Sequence, residues 1–322
     1  MYKDVRIVYM GTPDFAVEPL KALVNAGCNV IGVVTVPDKP AGRGQKIQSS
    51  PVKQYAQGKG LRIMQPEKLK NPEFIDELAS LKPDIAVVVA FRMLPESVWT
   101  IPRIGTFNLH ASLLPQYRGA APINWAIING EERTGVTTFL IDHEIDTGKV
   151  IFSEEINVSE NETAGELHDR LMVIGAELVL KTVKGLADNC IKPISQENLL
   201  KTDRIIKSAP KIFRDTCRID WSKTAQEIHN LIRGLSPYPA AWTEITFDNG
   251  SSIQAKILRS SLIEKKHNLE FGSIKIDGKN VLQVACSDEF ISIAEIQLAG
   301  KRPMKTSDML NGLRDLIPLR MI

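Results

Sequence analysis

Asn108 and His110 stand two residues apart in Asn108-Leu109-His110-Ala111-Ser112-Leu113-Leu114-Pro115, at the end of the strand-like run Ile104 to Leu109. Side chains two apart on a strand share a face, so an amide donor and a titratable imidazole are predicted to point into one cleft. The carboxyl end of a strand is also where open α/β sheets build ligand sites. When an amine attacks a carbonyl, the oxygen becomes negative and the amine loses a proton; a fixed amide and a tuned His answer both demands. A carboxylate would orient the imidazole and favour its charged form. Asp146, in the Ile145-Asp146-Thr147-Gly148 turn, is the candidate.

Plainer readings cover the same residues. A lone strand-end His is commonly structural, and an Asp before Thr-Gly is commonly a turn former. His143 and Glu144 form a competing pair beside Asp142, and a metal site from His110, Asp142 and His143 stays open, although no HxxxH or HxH spacing supports it. There is no GxSxG, and no cysteine has a His or basic cluster close in sequence, so direct transfer is expected rather than a covalent intermediate. Gly11 after a first strand invites a dinucleotide reading, with Asp38 as ribose binder. Met10-Gly11-Thr12-Pro13-Asp14-Phe15 has one glycine where that fingerprint needs three, so the pyrophosphate cradle is missing. The stretch Lys39-Pro40-Ala41-Gly42-Arg43-Gly44-Gln45-Lys46 reads either as a mobile, solvated loop or as an arm reaching phosphates and base edges, with Arg43 its strongest donor.

Apolar runs alternating with amphipathic stretches predict an α/β core with a parallel sheet. Strands are expected at Val5 to Met10, Asn29 to Thr35, Leu61 to Met64, Asp84 to Ala90 and Ile104 to Leu109, with late strands at Val136 to Ile141 and Val150 to Ile156. Thr12-Pro13-Asp14 is expected to cap a helix running to Gly27. Thr163 and Glu166 form a capping-box pattern for a helix to Leu186, with Ala164, Leu167, Leu171, Ile174 and Leu178 at three-four spacing. Residues 192–208 read as a linker. Beyond it, a helix from Ser222 to Gly234 precedes short strands separated by the hairpin signals Asn249-Gly250 and Asp277-Gly278, which predict a small, mostly β domain.

A length of 322 residues suits two domains, and 43% hydrophobic with 24% charged residues is a globular composition. The first residues lack the features of a secretory signal, and no run approaches the length of a membrane span, so a cytoplasmic protein without membrane attachment is expected. Cys28, Cys190, Cys217 and Cys286 show no CxxC pair, which argues for free thiols rather than disulfides or a structural metal. The net charge of +2 does not by itself announce a nucleic-acid binder, though Lys and Arg outnumber Asp and Glu only toward the C-terminus.

Ordered blocks along nearly the whole chain resemble the methionyl-tRNA formyltransferase family: MGTPDFAV at 10–17, the PAGRGQK loop, SPVK at 50–53, NLHASLLPQYRGAAPINWAI at 108–127, GVTTF with IDTG at 145–148, APKI with IDW at 219–221, IRGLSPYPAAW at 232–242 and IQLAGKRPM at 296–304. The resemblance implies a Rossmann-like parallel-sheet formyltransferase domain over 1–191, which binds folate and carries catalysis, and an OB-like β-barrel over 209–322 that helps hold tRNA through its phosphates. It implies catalytic roles for Asn108, His110 and Asp146, and folate contacts from Ser112, Leu113, Leu114 and Pro115. It implies acceptor-stem contacts from Lys39, Arg43 and Lys46. One departure stands out: Arg92 occupies a position where most relatives carry glycine, so the contacts of residues 90–94 stay open.

The expected reaction moves the formyl group of 10-formyltetrahydrofolate, as co-substrate, to the amine of initiator methionyl-tRNA, with no metal and in a monomeric protein. Two rivals are a folate-dependent formyltransferase acting on an amino sugar nucleotide, glycinamide ribonucleotide or another small amine, and a noncatalytic tRNA-binding protein. The basic loop and the C-terminal barrel distinguish the first rival; dependence on folate and His110 distinguishes the second.

Overall fold

A computed structural model describes residues 2–41, 46–199, 205–277, 280–313 and 316–322. The chain divides into two compact units. The first comprises residues 1–119, 134–156 and 168–208, and the second 120–133, 157–167 and 209–322.

The first unit is built on a sheet of seven strands. Ile7–Gly11 is buried along its whole length, as a strand covered on both faces must be. It pairs in parallel with Val30–Val34 on one side and Ile85–Val89 on the other. Ile63–Met64 extends the first flank, and Gly105–His110 the second, both in parallel. Counted along the chain, these five strands lie in the order 3-2-1-4-5, a doubly wound arrangement. Arg133–Leu140 then pairs antiparallel to Gly105–His110, with Asn108 opposite Phe139 and His110 opposite Thr137, and Val150–Asn157 forms the edge. The strand that carries the two candidate residues therefore has neighbours on both sides.

Helix ends follow local chemistry more closely than the sequence expectation did. The helix expected from Thr12-Pro13-Asp14 begins as a 3-10 turn over Asp14–Ala16 and becomes α-helical only at Val17–Asn25; Pro13 stands at the N-cap, where it has no side-chain acceptor for the first backbone N–H groups. Thr12 does not cap: its hydroxyl is buried without a hydrogen-bond partner. The C-terminus closes as the spacing predicts, with Gly27 at φ +71° and Cys28 N donating to Leu23 O at 3.0 Å. In the Ala164–Ala187 helix the predicted capping box forms: Thr163 N donates to the Glu166 carboxylate at 2.8 Å, and Glu166 N donates to Thr163 Oγ1 at 3.3 Å.

Residues 192–199 are less free than a linker. Ile194 exchanges two backbone hydrogen bonds of 2.8 Å with Val150, and Gln196 is 2% exposed within the first unit. The polar, Pro-containing composition that suggested a tether here marks a strap with its own hydrogen bonds.

In the second unit, Ala241–Phe247 alternates buried and half-buried residues along its length, the period of a sheet with one covered face. It pairs antiparallel with Ser252–Ile263 across the turn at Gly250, which sits at φ +79°. Ser252–Ile263 pairs with Phe290–Leu298, which pairs with Val281–Ala285 and then Ile274–Asp277; Pro318–Met321 lies on the far side of Ala241–Phe247. A bridge between Ser273 and Arg320 brings the two ends of this sheet together, giving a nearly closed barrel consistent with an OB-like fold. Ile274–Asp277 and Val281–Ala285 pair antiparallel, and the turn expected at Asp277-Gly278 falls on residues 278–279, which lie outside the described ones. The helix expected from Ser222 runs over Ala225–Leu235, because Thr224 and Glu227 form a capping box that sets its start. Its Ile228, Ile232 and Leu235 join Trp221, Phe247 and Ile257 in the core.

Candidate active site

The strand Gly105–His110 ends with His110 6% exposed and Asn108 half-buried. His110 Nε2 lies 2.8 Å from the Tyr117 carbonyl. A carbonyl oxygen only accepts, so Nε2 carries the proton in this contact. Nδ1 faces the Asp146 carboxylate at 3.8 Å, inside ion-pair range and longer than a hydrogen bond. Nδ1 is thus the ring nitrogen left for a reacting group, with a carboxylate beside it. Asp146 Oδ2 accepts from Gly119 N at 3.0 Å, which anchors the carboxylate. Residues 117–119 therefore touch both members of the pair: a carbonyl on the imidazole and an amide on the carboxylate.

The turn that presents Asp146 is held tightly. Asp146 sits at φ +57°, a left-handed conformation costing on the order of 1–3 kcal/mol for a residue with a Cβ. Gly148 must be glycine, because a Cβ there would collide with the Leu140 carbonyl. Gln196 Nε2 donates to the carbonyls of Asp146, at 2.9 Å, and Gly148, at 2.8 Å, while its Oε1 accepts from Arg118 Nε and Nη2 at 3.0 and 2.7 Å. Tyr117, Arg118 and Gln196 were not singled out from sequence. The first two lie inside the quoted block at 108–127, whereas nothing local distinguishes Gln196 from a polar linker residue.

The residues expected to line a folate pocket form a compact turn with a cis Leu114-Pro115 bond. Ser112 is fully buried and its hydroxyl donates to Gln116 O at 2.7 Å. Leu114 packs with Phe139 and Val150, Pro115 is buried, and Leu113 is half-buried. Thr137 Oγ1 donates to Ser112 O at 2.7 Å and accepts from Leu114 N at 3.2 Å, tying this turn to the neighbouring strand. Arg92 turns aside: its guanidinium donates to the carbonyls of Glu67 and Pro66, each at 2.9 Å, and lies 5.2 Å from the Phe91 ring.

The rival sites do not assemble. Among the described residues no group of three His, Cys, Asp or Glu could hold a metal; His143 instead meets Glu96 at 3.9 Å and the edge of Trp99. Asp38, the candidate ribose binder, is paired to Lys53 at 2.6 Å and accepts from Gln65 at 3.0 Å, and the Lys53 hydrogen bond first and Gln65 second hold its carboxyl below the usual range.

The basic loop is flanked by an antiparallel ribbon, Lys39–Ala41 with Lys46–Gln48. Lys39 is exposed; Arg43 lies outside the described residues, as does the side chain of Lys46. In the second unit, the guanidinium groups of Arg214 and Arg218, both exposed, each lie 5.4 Å from the Trp242 ring. A groove of about 810 Å³ is lined by Leu69, Lys70, Met93, Leu94 and Glu96 in the first unit, and one of about 550 Å³ by Arg218, Trp221, Phe271 and Arg320 in the second. Neither has His110 in its wall.

A doubly wound sheet whose Asn-x-His strand ends with His110 beside a left-handed Asp, and a small barrel, are the parts that the resemblance to formyl transferases implied. The family models agree: that described as formyl transferase matches residues 5–183, and that described as formyl transferase, C-terminal domain, matches 211–314. The chain is 54% identical over 312 residues to the methionyl-tRNA formyltransferase of Bacteroides thetaiotaomicron, covering 97% of each chain. It is 49% identical over 312 residues to that of Flavobacterium johnsoniae, again covering 97% of each. The chain belongs to the methionyl-tRNA formyltransferase family. Among solved structures it shares a fold with WlaRD, a sugar 3N-formyl transferase, at TM-score 0.64 and 22% identity, covering 92% of this chain and 99% of that one. It also shares the fold of HypX from Aquifex aeolicus in complex with tetrahydrofolic acid, at TM-score 0.62 and 15% identity, covering 96% of this chain and 47% of that one.

Proposed function

We propose that this enzyme transfers the formyl group of 10-formyltetrahydrofolate to the free amine of initiator methionyl-tRNA, giving N-formylmethionyl-tRNA and tetrahydrofolate for the initiation of translation. The observation that carries the reading is the His110–Asp146 pair, in a chain that matches methionyl-tRNA formyltransferases over nearly all of its length. The amine attacks the formyl carbon, and the carbonyl oxygen takes the negative charge. The Asn108 amide and His110 Nδ1–H donate to that oxygen, while Asp146 holds the imidazole against rotation and balances its charge. On collapse the bond from the formyl carbon to the donor nitrogen breaks, and the proton lost by the amine offsets the one that the donor nitrogen gains.

In this reading Leu113 and the backbone of the buried 112–115 turn bound the folate site, with Ser112, Leu114 and Pro115 fixing its shape. Lys39, Arg43 and Lys46 reach the acceptor stem, and the barrel holds phosphates through such groups as Arg214 and Arg218, whose guanidinium groups lie over Trp242. The catalytic domain is 1–191 and the tRNA-binding domain 209–322. The enzyme works as a monomer in the cytoplasm; no helix among the described residues is long and apolar enough to cross a membrane.

Incubation with 10-formyltetrahydrofolate and charged initiator tRNA tests this directly. Formylated methionyl-tRNA is the expected product, and a tRNA-free amino sugar nucleotide should be a poor acceptor. Removing residues 39–46 should damage use of tRNA while leaving any small-amine transfer intact. Binding of charged tRNA with no transfer under any condition would instead favour a noncatalytic tRNA-binding protein.

A further inference from the structure

The geometry points to Gln196 as a positioning residue for catalysis, acting through Asp146; this rests on the His110–Asp146 reading above. Gln196 is 2% exposed and uses its whole amide inside the first unit. Its two N–H groups bond the carbonyls on either side of Thr147, and its oxygen receives a forked pair of hydrogen bonds from Arg118. A primary amide has two donors and one acceptor oxygen, so the side chain matches this environment without remainder.

The consequence lies in what those bonds connect. Asp146 is in a left-handed conformation that persists only where the surroundings over-determine it. The Gln196 bonds to the Asp146 and Gly148 carbonyls fix the peptide planes on both sides of the turn. Arg118, held by the Gln196 oxygen, precedes Gly119, whose amide binds the Asp146 carboxylate at 3.0 Å. Gln196 thus closes a ring running from the turn backbone, through its own amide, to Arg118 and Gly119, and back to the carboxylate that faces His110. The ring is anchored from outside, because Ile194 is strapped to Val150, two residues past Gly148. If the ring opens, the carboxylate is free to leave Nδ1, or to close on it as a direct hydrogen bond and withdraw it from substrate. Either movement lowers the rate of the chemical step without touching the surfaces that bind folate or tRNA.

The test compares Gln196→Glu, Gln196→Met and Asp146→Asn, and combines each Gln196 change with Asp146→Asn. Gln196→Glu keeps the shape and replaces both donors by a carboxylate oxygen facing two carbonyls; Gln196→Met keeps the bulk and removes all four bonds. Each that folds should lower kcat by about tenfold or more, by analogy with the loss of groups that orient metal-binding side chains, with the KM values for both substrates within about twofold of the parent. In the Asp146→Asn background neither change should slow the reaction further. Parent-like kcat in both Gln196 variants, while Asp146→Asn is slow, would overturn the assignment, as would losses that multiply in the double variants. A normal rate for Asp146→Asn itself would instead remove the catalytic reading on which the inference stands.

Discussion

Each unit of this protein buries a His close to an Asn, and the two pairs are built for different ends. In the first unit His110 donates through Nε2 to a carbonyl, and its other nitrogen looks across 3.8 Å to a carboxylate. Asn108 lies on the same strand face. In the second unit His229, only 2% exposed, shares Nδ1 with the Ser260 hydroxyl at 3.0 Å. Burial first, and the Arg233 cation second, hold that imidazole below its ordinary value against a smaller opposing pull from Glu160. Asn230 is occupied by structure: its Oδ1 accepts from Arg233 Nε at 2.9 Å and from Gln226 at 3.1 Å. Burial of a titratable group is thus shared by both pairs. What separates them is the influence that leads at each ring: a carboxylate 3.8 Å from Nδ1 at His110, and burial with the Arg233 cation at His229.

Substitutions can sharpen that contrast. Asn108→Ala should lower turnover by roughly a hundredfold or more, the loss typical of an oxyanion donor, and leave thermal stability nearly unchanged. Asn230→Ala should do the reverse, with turnover close to normal and a stability loss of about 1–3 kcal/mol, because the Arg233 guanidinium loses a buried acceptor. Parallel kinetics and denaturant titrations distinguish the two. If Asn230→Ala were the slower enzyme, the division of roles between the units would be wrong.

Gly148→Ala should cost about 2–3 kcal/mol of stability, since the added methyl meets the Leu140 carbonyl and the strand must shift. It should also slow transfer, because the same turn aims Asp146. Gly312→Ala, where an added Cβ meets nothing within 4 Å, is the control and should be silent in both assays.

The smallest expected effect concerns pH. The unfolded chain takes up a proton at His229 near pH 6.5, and the folded chain does so only at lower pH. Stability from this group is therefore complete above about pH 6.5 and declines as pH falls beneath it toward the folded value. His229→Leu should flatten the fall in denaturation midpoint between pH 7 and 5.5 and keep turnover within about twofold. An unchanged slope would show that His229 does not titrate on unfolding.

A parallel α/β core and a second, mostly β part were legible in sequence because both rest on patterns spread over many residues, whereas the strand order was not read and the barrel came only from the family resemblance. Ile7–Gly11 and Ile85–Val89 are apolar throughout, and Ala241–Phe247 alternates. Asn108 and His110 were legible because strand periodicity alone puts them on one face. Asp146 could be nominated only from its turn and the family resemblance, since no local pattern says which distant loop meets a given strand end. Gln196 could not be read at all: its role depends on hydrogen bonds to carbonyls some fifty residues earlier, and its own surroundings look like a tether. Arg92 illustrates the same limit. Sequence marks it as odd, but its Nη1 and Nη2 donate to the Glu67 and Pro66 carbonyls, some 25 residues earlier, which no local pattern announces.

The claim that His110 and its carboxylate perform formyl transfer is tested most directly by the single-turnover rate of His110→Ala with saturating donor and charged initiator tRNA, measured alongside tRNA binding. A rate down by roughly a hundredfold or more, with binding intact, is the predicted result. A rate close to that of the parent enzyme would contradict it.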